Sequence, residues 1–144
     1  MKTLLSNLNH LTNNREKYFI FNKNERAEGL EKVITEDEFR ESLMTTIDMR
    51  LKQVFGKTAT MIIYNYLQTA LSLQQEEIPE KLQVFTDGLN NFLSSGAMVV
   101  ERVILESVYC KFGHEFQTKE GYRLPDYIDE LKAELKGSQR TSRK

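Results

Sequence analysis

The chain has 144 residues, 40% of them hydrophobic and 28% charged, with 20 Lys+Arg against 21 Asp+Glu and one cysteine. That length fits one domain with a sizeable core, while a single cysteine excludes an internal disulfide framework and a multi-thiolate zinc site. No apolar run approaches the roughly 18 residues of a membrane span, and Met1 to Asn7 lack the apolar stretch of a signal peptide, so the expectation is a cytoplasmic protein with no membrane partner.

Residues 1–14 carry Leu4, Leu5, Leu8 and Leu11 at helical spacing, weakened by Asn7, Asn9, Asn13 and Asn14, which favour caps and turns. Tyr18-Phe19-Ile20-Phe21 reads as a strand in need of a partner, and 22–32 is polar and linker-like. The first sharp signal is Thr35-Glu36-Asp37-Glu38, a capping box ahead of Phe39, Leu43, Ile47, Leu51 and Val54. It predicts a helix over about 36–55, closed by Gly56.

Thr58 to Gln75 holds no charged residue. It predicts a helix over about 58–74, apolar nearly all round and so buried in a core or a subunit interface, with Thr58 as its N-cap. Pro79 fits the first position of a third helix running to about 94 on Leu82, Phe85, Leu89, Phe92 and Leu93. After Ser94-Ser95-Gly96, a fourth helix over about 97–112 sets Val100, Ile104 and Val108 on one face, with Glu101, Arg102, Glu106 and Lys111 on a wetter side. The segment 114–123 reads as a loop or a small β-hairpin around Thr118-Lys119-Glu120-Gly121. A last helix, about 125–136, follows Pro125 on Tyr127, Ile128, Leu131 and Leu135.

The fold class is therefore mainly α: a single-domain bundle of four to five helices, with one small β-hairpin near 114–123 as an option. An N-terminal arm and linker (1–34) precede the helical domain (35–136), and a disordered basic tail (137–144) follows. Lys136, Arg140, Arg143 and Lys144 stand among the last nine residues with no acid, leaving 16 basic against 21 acidic residues in 1–135. Such a tail suits nucleic-acid phosphates, an acidic partner or plain solubility.

Chemistry finds little support. His10 and His114 are far apart and no His-Glu-x-x-His pattern exists. Glu106, Cys110 and His114 have helical spacing, but Gly113 ends the helix before His114 can join that face. Gly56-Lys57-Thr58 resembles the end of a phosphate-binding loop, yet Leu51 occupies the place of the required glycine. Glu76-Glu77 and Asp126, Asp129 and Glu130 read as solvated acids. The expectation is no catalytic residue, no metal and no cofactor.

Two features carry a functional reading. The uncharged stretches 58–75 and Gly88 to Val100 suggest a surface that meets another copy or a protein partner, with Met61, Tyr64, Leu67 and Leu71 as its candidate residues. The order of helices followed by a hairpin outlines a winged helix, but the 97–112 segment lacks the basic stripe of a DNA reader. A small-ligand site among Phe85, Phe92, Tyr64 and Phe112 is disfavoured, because core packing explains the same residues.

The run from Val54-Phe55-Gly56-Lys57 through Ile78-Pro79-Glu80, Phe85, Leu89, Ser95-Gly96-Ala97, Val103-Ile104 and Tyr109-Cys110-Lys111-Phe112-Gly113 resembles small archaeal helical output domains of the Nitrosopumilus type, over about 40–135. The resemblance implies signal transduction or transcriptional output without assigned chemistry, and it transfers no functional residue. Taken together, the expectation is a non-catalytic regulatory module acting by protein–protein interaction as a homodimer. The alternative is a nucleic-acid-binding transcriptional regulator using the basic tail and a winged-helix-like segment.

Overall fold

A computed structural model describes residues 17–21 and 31–141, with side chains over 34–136. The Asn-rich segment 1–14 lies outside the described residues. Strands β1 (Lys17–Phe21) and β2 (Glu31–Thr35) form an antiparallel ribbon that pairs Tyr18 with Ile34 and Phe21 with Glu31. The strand expected at 18–21 thus finds its partner immediately before the first helix, where the linker-like segment ends. Five α-helices follow among the described residues: α1 (Glu36–Phe55), α2 (Lys57–Leu71), α3 (Leu82–Leu93), α4 (Gly96–Lys111) and α5 (Leu124–Thr141). A 3-10 helix, Gln75–Glu80, lies between α2 and α3. The protein is a mainly α, small helical bundle.

The capping box at the start of α1 is complete. Thr35 Oγ1 accepts the Glu38 amide at 3.2 Å, and Glu38 Oε1 accepts the Thr35 amide at 3.0 Å. Thr35 is therefore both the last ribbon residue and the helix cap, which joins the two elements without a loop. Phe39, Leu43, Ile47 and Leu51 form one buried stripe along α1. Val54, expected to continue that stripe, is exposed instead, because Phe55, four residues after Leu51, is the residue that packs against the core there.

One residue turns α1 into α2. Gly56 has φ +89°, a conformation that glycine adopts freely and side-chain-bearing residues resist. The reversal is antiparallel: Tyr64, eight residues past Gly56, donates its hydroxyl at 2.7 Å to Asp48, eight residues before it. Gly56 caps both helices, so α2 begins at Lys57 and Thr58 falls in its first turn rather than capping it.

The uncharged helix is not the buried one. α2 buries only Thr60, Ile63 and Leu67, whereas α4 buries Ala97, Val100, Glu101, Ile104, Leu105, Val108 and Tyr109. α1 and α4 are the central pair: they pack on each other, and α1 further contacts α2, the 3-10 helix and the ribbon. Burial follows the neighbours available to each helix face, and α2 has them on one side.

Three boundaries also differ from the sequence reading. Pro79 is buried inside the 3-10 helix, anchored by fully buried Ile78, and α3 starts at Leu82 after Lys81 leaves helical geometry with φ −128°. The segment 114–123 forms no hairpin. Its backbone is held by a side chain rather than a partner strand: the Tyr127 hydroxyl accepts the Lys119 amide at 2.7 Å and donates to the Lys119 carbonyl at 3.1 Å. Finally, α5 runs on to Thr141, past the end expected near 136.

Candidate interaction surface

Among the described residues no three His, Cys, Asp or Glu side chains stand close enough to hold a metal ion. Cys110 is exposed on α4, while His114 lies beyond the helix end and sets its Nδ1 3.3 Å from Glu134 on α5. The amide of His114 donates to the Tyr109 carbonyl at 2.9 Å, which folds the chain back over the end of α4. The four aromatic residues considered for a ligand site are not brought together. Phe112 stacks on Phe39 at 4.8 Å, Phe92 packs on Tyr66 at 5.1 Å, and Tyr64 is tied to Asp48.

The molecule presents an apolar end instead. Of the eight exposed large apolar side chains among the described residues, six are Val54, Met61, Ile62, Phe92, Met98 and Val99. They come from the end of α1, the start of α2, the end of α3 and the start of α4, and the helix packing gathers those four termini. The Phe39–Phe112 stack places the start of α1 beside the end of α4, and the two helices pack extensively on each other, which a parallel pair touching only at those ends could not do, so they run antiparallel. Val54 stands 15 residues after Phe39 and Ala97 stands 15 before Phe112; at about 1.5 Å per residue both have travelled about 22 Å, which brings Val54 level with Ala97 and Met98.

The other two termini meet through α2 and α3. A Cβ built on Gly88 would lie 2.4 Å from Leu67 Cδ2 and 2.8 Å from Leu71 Cδ1, and Phe92, one turn later, packs on Tyr66. α3 therefore runs back toward the start of α2, and Ile62 is one turn before Tyr66. The two-residue turn Ser94-Ser95 delivers Met98 and Val99 to the same end.

This surface has little charge. Between Gln53 and Gln75, and between Gly88 and Val100, the only charged residue is Lys57. Of the ionic groups that flank it, Asp48 pairs with Lys52 at 3.0 Å and Arg102 with Glu106 at 3.3 Å along their own helices, while Arg50 and Asp87 bond to Gln53 and Gln83. Glu101 is withdrawn from the surface altogether. Its buried carboxylate receives the Arg123 guanidinium in a two-point fork, with Nε at 3.1 Å from Oε1.

The candidate interface residues read from the sequence divide accordingly. Met61 is 65% exposed and belongs to the apolar end, whereas Leu67 is 1% exposed and belongs to the core. Leu71 is half-buried against Gly88, and Tyr64 is half-buried. Burial, then the hydrogen bond to Asp48, holds the Tyr64 hydroxyl well above the ordinary tyrosine range. Only the face of α2 turned from α1 and α3 can meet a partner. Ile62, Phe92, Met98 and Val99 lie within the two uncharged stretches but were not singled out there, and Val54 lies outside both. Phe92 looked like core because its spacing matches buried Phe85 and Leu89, and the others needed the helix termini placed in space.

Of the basic residues, Lys136 is an exposed residue of α5 and Arg140 follows one turn later in the same helix. Arg143 and Lys144 lie outside the described residues. Lys132, one turn before Lys136, donates to Glu36 at 3.2 Å and sits over the Phe39 ring. That lysine fastens α5 to the start of α1. No helix among the described residues is long and apolar enough to cross a membrane.

No family model, curated protein or solved structure matches this chain.

Proposed function

We propose that this chain is a non-catalytic regulatory module of the cytoplasm that acts by protein–protein interaction. The observation that carries this reading is the grouping of Val54, Met61, Ile62, Phe92, Met98 and Val99 at one end of the bundle. Contiguous apolar patches beyond a few hundred Å² are uncommon on monomers and mark contact sites. The resemblance of residues 40–135 to archaeal output domains, which have no assigned chemistry, favours the same role in signal transduction. A photo-cross-linking side chain at Val99, expressed in the source cell, is expected to form a protein adduct. The same group at Gln83, exposed on α3, is expected to form none. Failure of Val99 to yield any adduct refutes the reading.

The nucleic-acid reading keeps one favourable observation: α5 continues to Thr141 and holds Lys136 and Arg140 one turn apart. It loses the wing, since 114–123 is not a hairpin. Acidic Asp129, Glu130 and Glu134 on the same helix also repel phosphate. Duplex DNA binding that falls steeply with salt and disappears in Lys136→Ala/Arg140→Ala would favour this second reading over the first.

A further inference from the structure

We infer that the occupant of the apolar end is a second copy of this chain, docked about a two-fold axis; the inference rests on the reading of that end as a docking face. The first argument is charge. A two-fold axis sets each patch against itself, so any charge near the axis meets its own like charge. A face carrying charge of one sign would select a partner of the opposite sign. This one has no charge in Thr58–Gln75 or Gly88–Val100; of the ions flanking those stretches, Lys52 and Arg102 are paired within their own helices, while Arg50 and Asp87 bond to the neutral side chains of Gln53 and Gln83. Lys57 is the exception, and it stands at the first position of α2, beside the turn at Gly56. Away from the axis, a residue of one copy and its equivalent in the other lie at opposite edges of a two-fold interface, where two lysine heads reach solvent. Self-association therefore meets little electrostatic penalty here, and a charged partner gains little attraction.

The second argument is area. Aromatic side chains offer roughly 150–250 Å² each and Val, Ile and Met somewhat less, so six that are about half exposed present on the order of 500 Å². A stable interface needs about 800 Å² per partner. The uncharged, exposed Asn65, Gln68 and Thr69 on α2 and Asn91 and Ser95 beside Phe92 can supply the remainder as a polar rim. Apolar centre and uncharged rim together reach the size of a standard dimer interface without drawing on the ribbon or α5.

The test uses the full chain. Sedimentation of the wild type from about 1 to 100 µM is expected to show a monomer–dimer equilibrium. Met61→Asp/Val99→Asp, and separately Met98→Lys, are expected to raise the dimer Kd by about a hundredfold or more, because each buries an unpaired charge in the interface. The positions are exposed, so each variant is expected to melt within a few degrees of the wild type; should one fail to fold, the other carries the comparison. A dimer that persists in the folded variant overturns the inference, since it would use another surface. A wild type that stays monomeric at the highest concentration also overturns it. The Val99 photo-adduct then separates the two levels: an adduct of twice the chain mass supports the second copy, an adduct of another mass leaves the docking face standing with a different occupant, and no adduct removes both.

Discussion

Gly88 is the point where the structure makes its sharpest demand on the sequence. It lies inside α3, buried, with a virtual Cβ 2.4 Å from Leu67 Cδ2 and 2.8 Å from Leu71 Cδ1. Gly88→Ala would gain about 1 kcal/mol of helix propensity if nothing opposed it. The methyl, however, must displace two leucine termini, one of them in the fully packed core, and overpacking of this kind costs about 1–3 kcal/mol. Leu67 and Leu71 have to shift their side-chain ends or the helices have to separate, so the net expectation is destabilisation by about 0–2 kcal/mol. For a domain of this size that lowers the Tm by about 8 °C at most. Leu67→Ala by itself costs about 2–5 kcal/mol through the cavity it leaves, but it also clears the space the new methyl needs. The double variant is therefore expected to be more stable than the sum of the single losses by about 1 kcal/mol or more. Gly56→Ala is the control: its Cβ has no atom within 4 Å, its cost comes from φ +89° alone, and it does not couple to Leu67. Urea and thermal unfolding of the set decide the matter. A clearly raised Tm in Gly88→Ala, or strict additivity with Leu67→Ala, refutes the close-packed crossing of α2 and α3.

Three further predictions follow from polar contacts. Arg123→Ala leaves the buried Glu101 carboxylate without its guanidinium and is expected to cost about 3 kcal/mol; the loss shrinks in a Glu101→Gln background, and equal losses in both backgrounds would refute the pairing. Tyr127→Phe removes the hydroxyl that holds both backbone groups of Lys119, so stability falls by about 1–2 kcal/mol and the Lys119 amide exchanges faster with solvent. Burial, reinforced by Asp48 at Tyr64 and by Glu130 at Tyr109, raises both hydroxyl pKa values above those of the unfolded chain, which ionises near about 10. Above that pH the unfolded chain loses protons that the folded one keeps, so the contribution of these two hydroxyls is constant below pH about 10 and lowers stability beyond it. The urea midpoint plotted against pH is expected to fall less steeply in Tyr64→Phe/Tyr109→Phe, and an unaltered slope would refute the assignment.

The sequence by itself determined the elements whose causes are local. The capping box at Thr35, the stripe Phe39, Leu43, Ile47 and Leu51, and the stop at Gly56 depend on hydrogen bonds and spacings within a few residues, so they were legible without any fold. So was the strand at Tyr18 to Phe21, whose composition announced it. Its partner at Glu31–Thr35 was not legible, because pairing depends on what the ribbon meets, here α1 and α5. Composition misjudged α2 for the same reason. A helix without charge looks buried all round, but burial depends on how many neighbours surround it, and α2 has them along one side. Glu101 is the converse, a charged residue that reads as solvent-facing until Arg123, from 22 residues away, neutralises it inside the protein. The apolar end was half visible: two uncharged stretches marked it, yet only antiparallel packing of α1 on α4 and of α2 on α3 brought their ends together. Tertiary structure decided which of those residues faces solvent, since hydrophobic attraction has no direction and the geometry of helix packing supplies one.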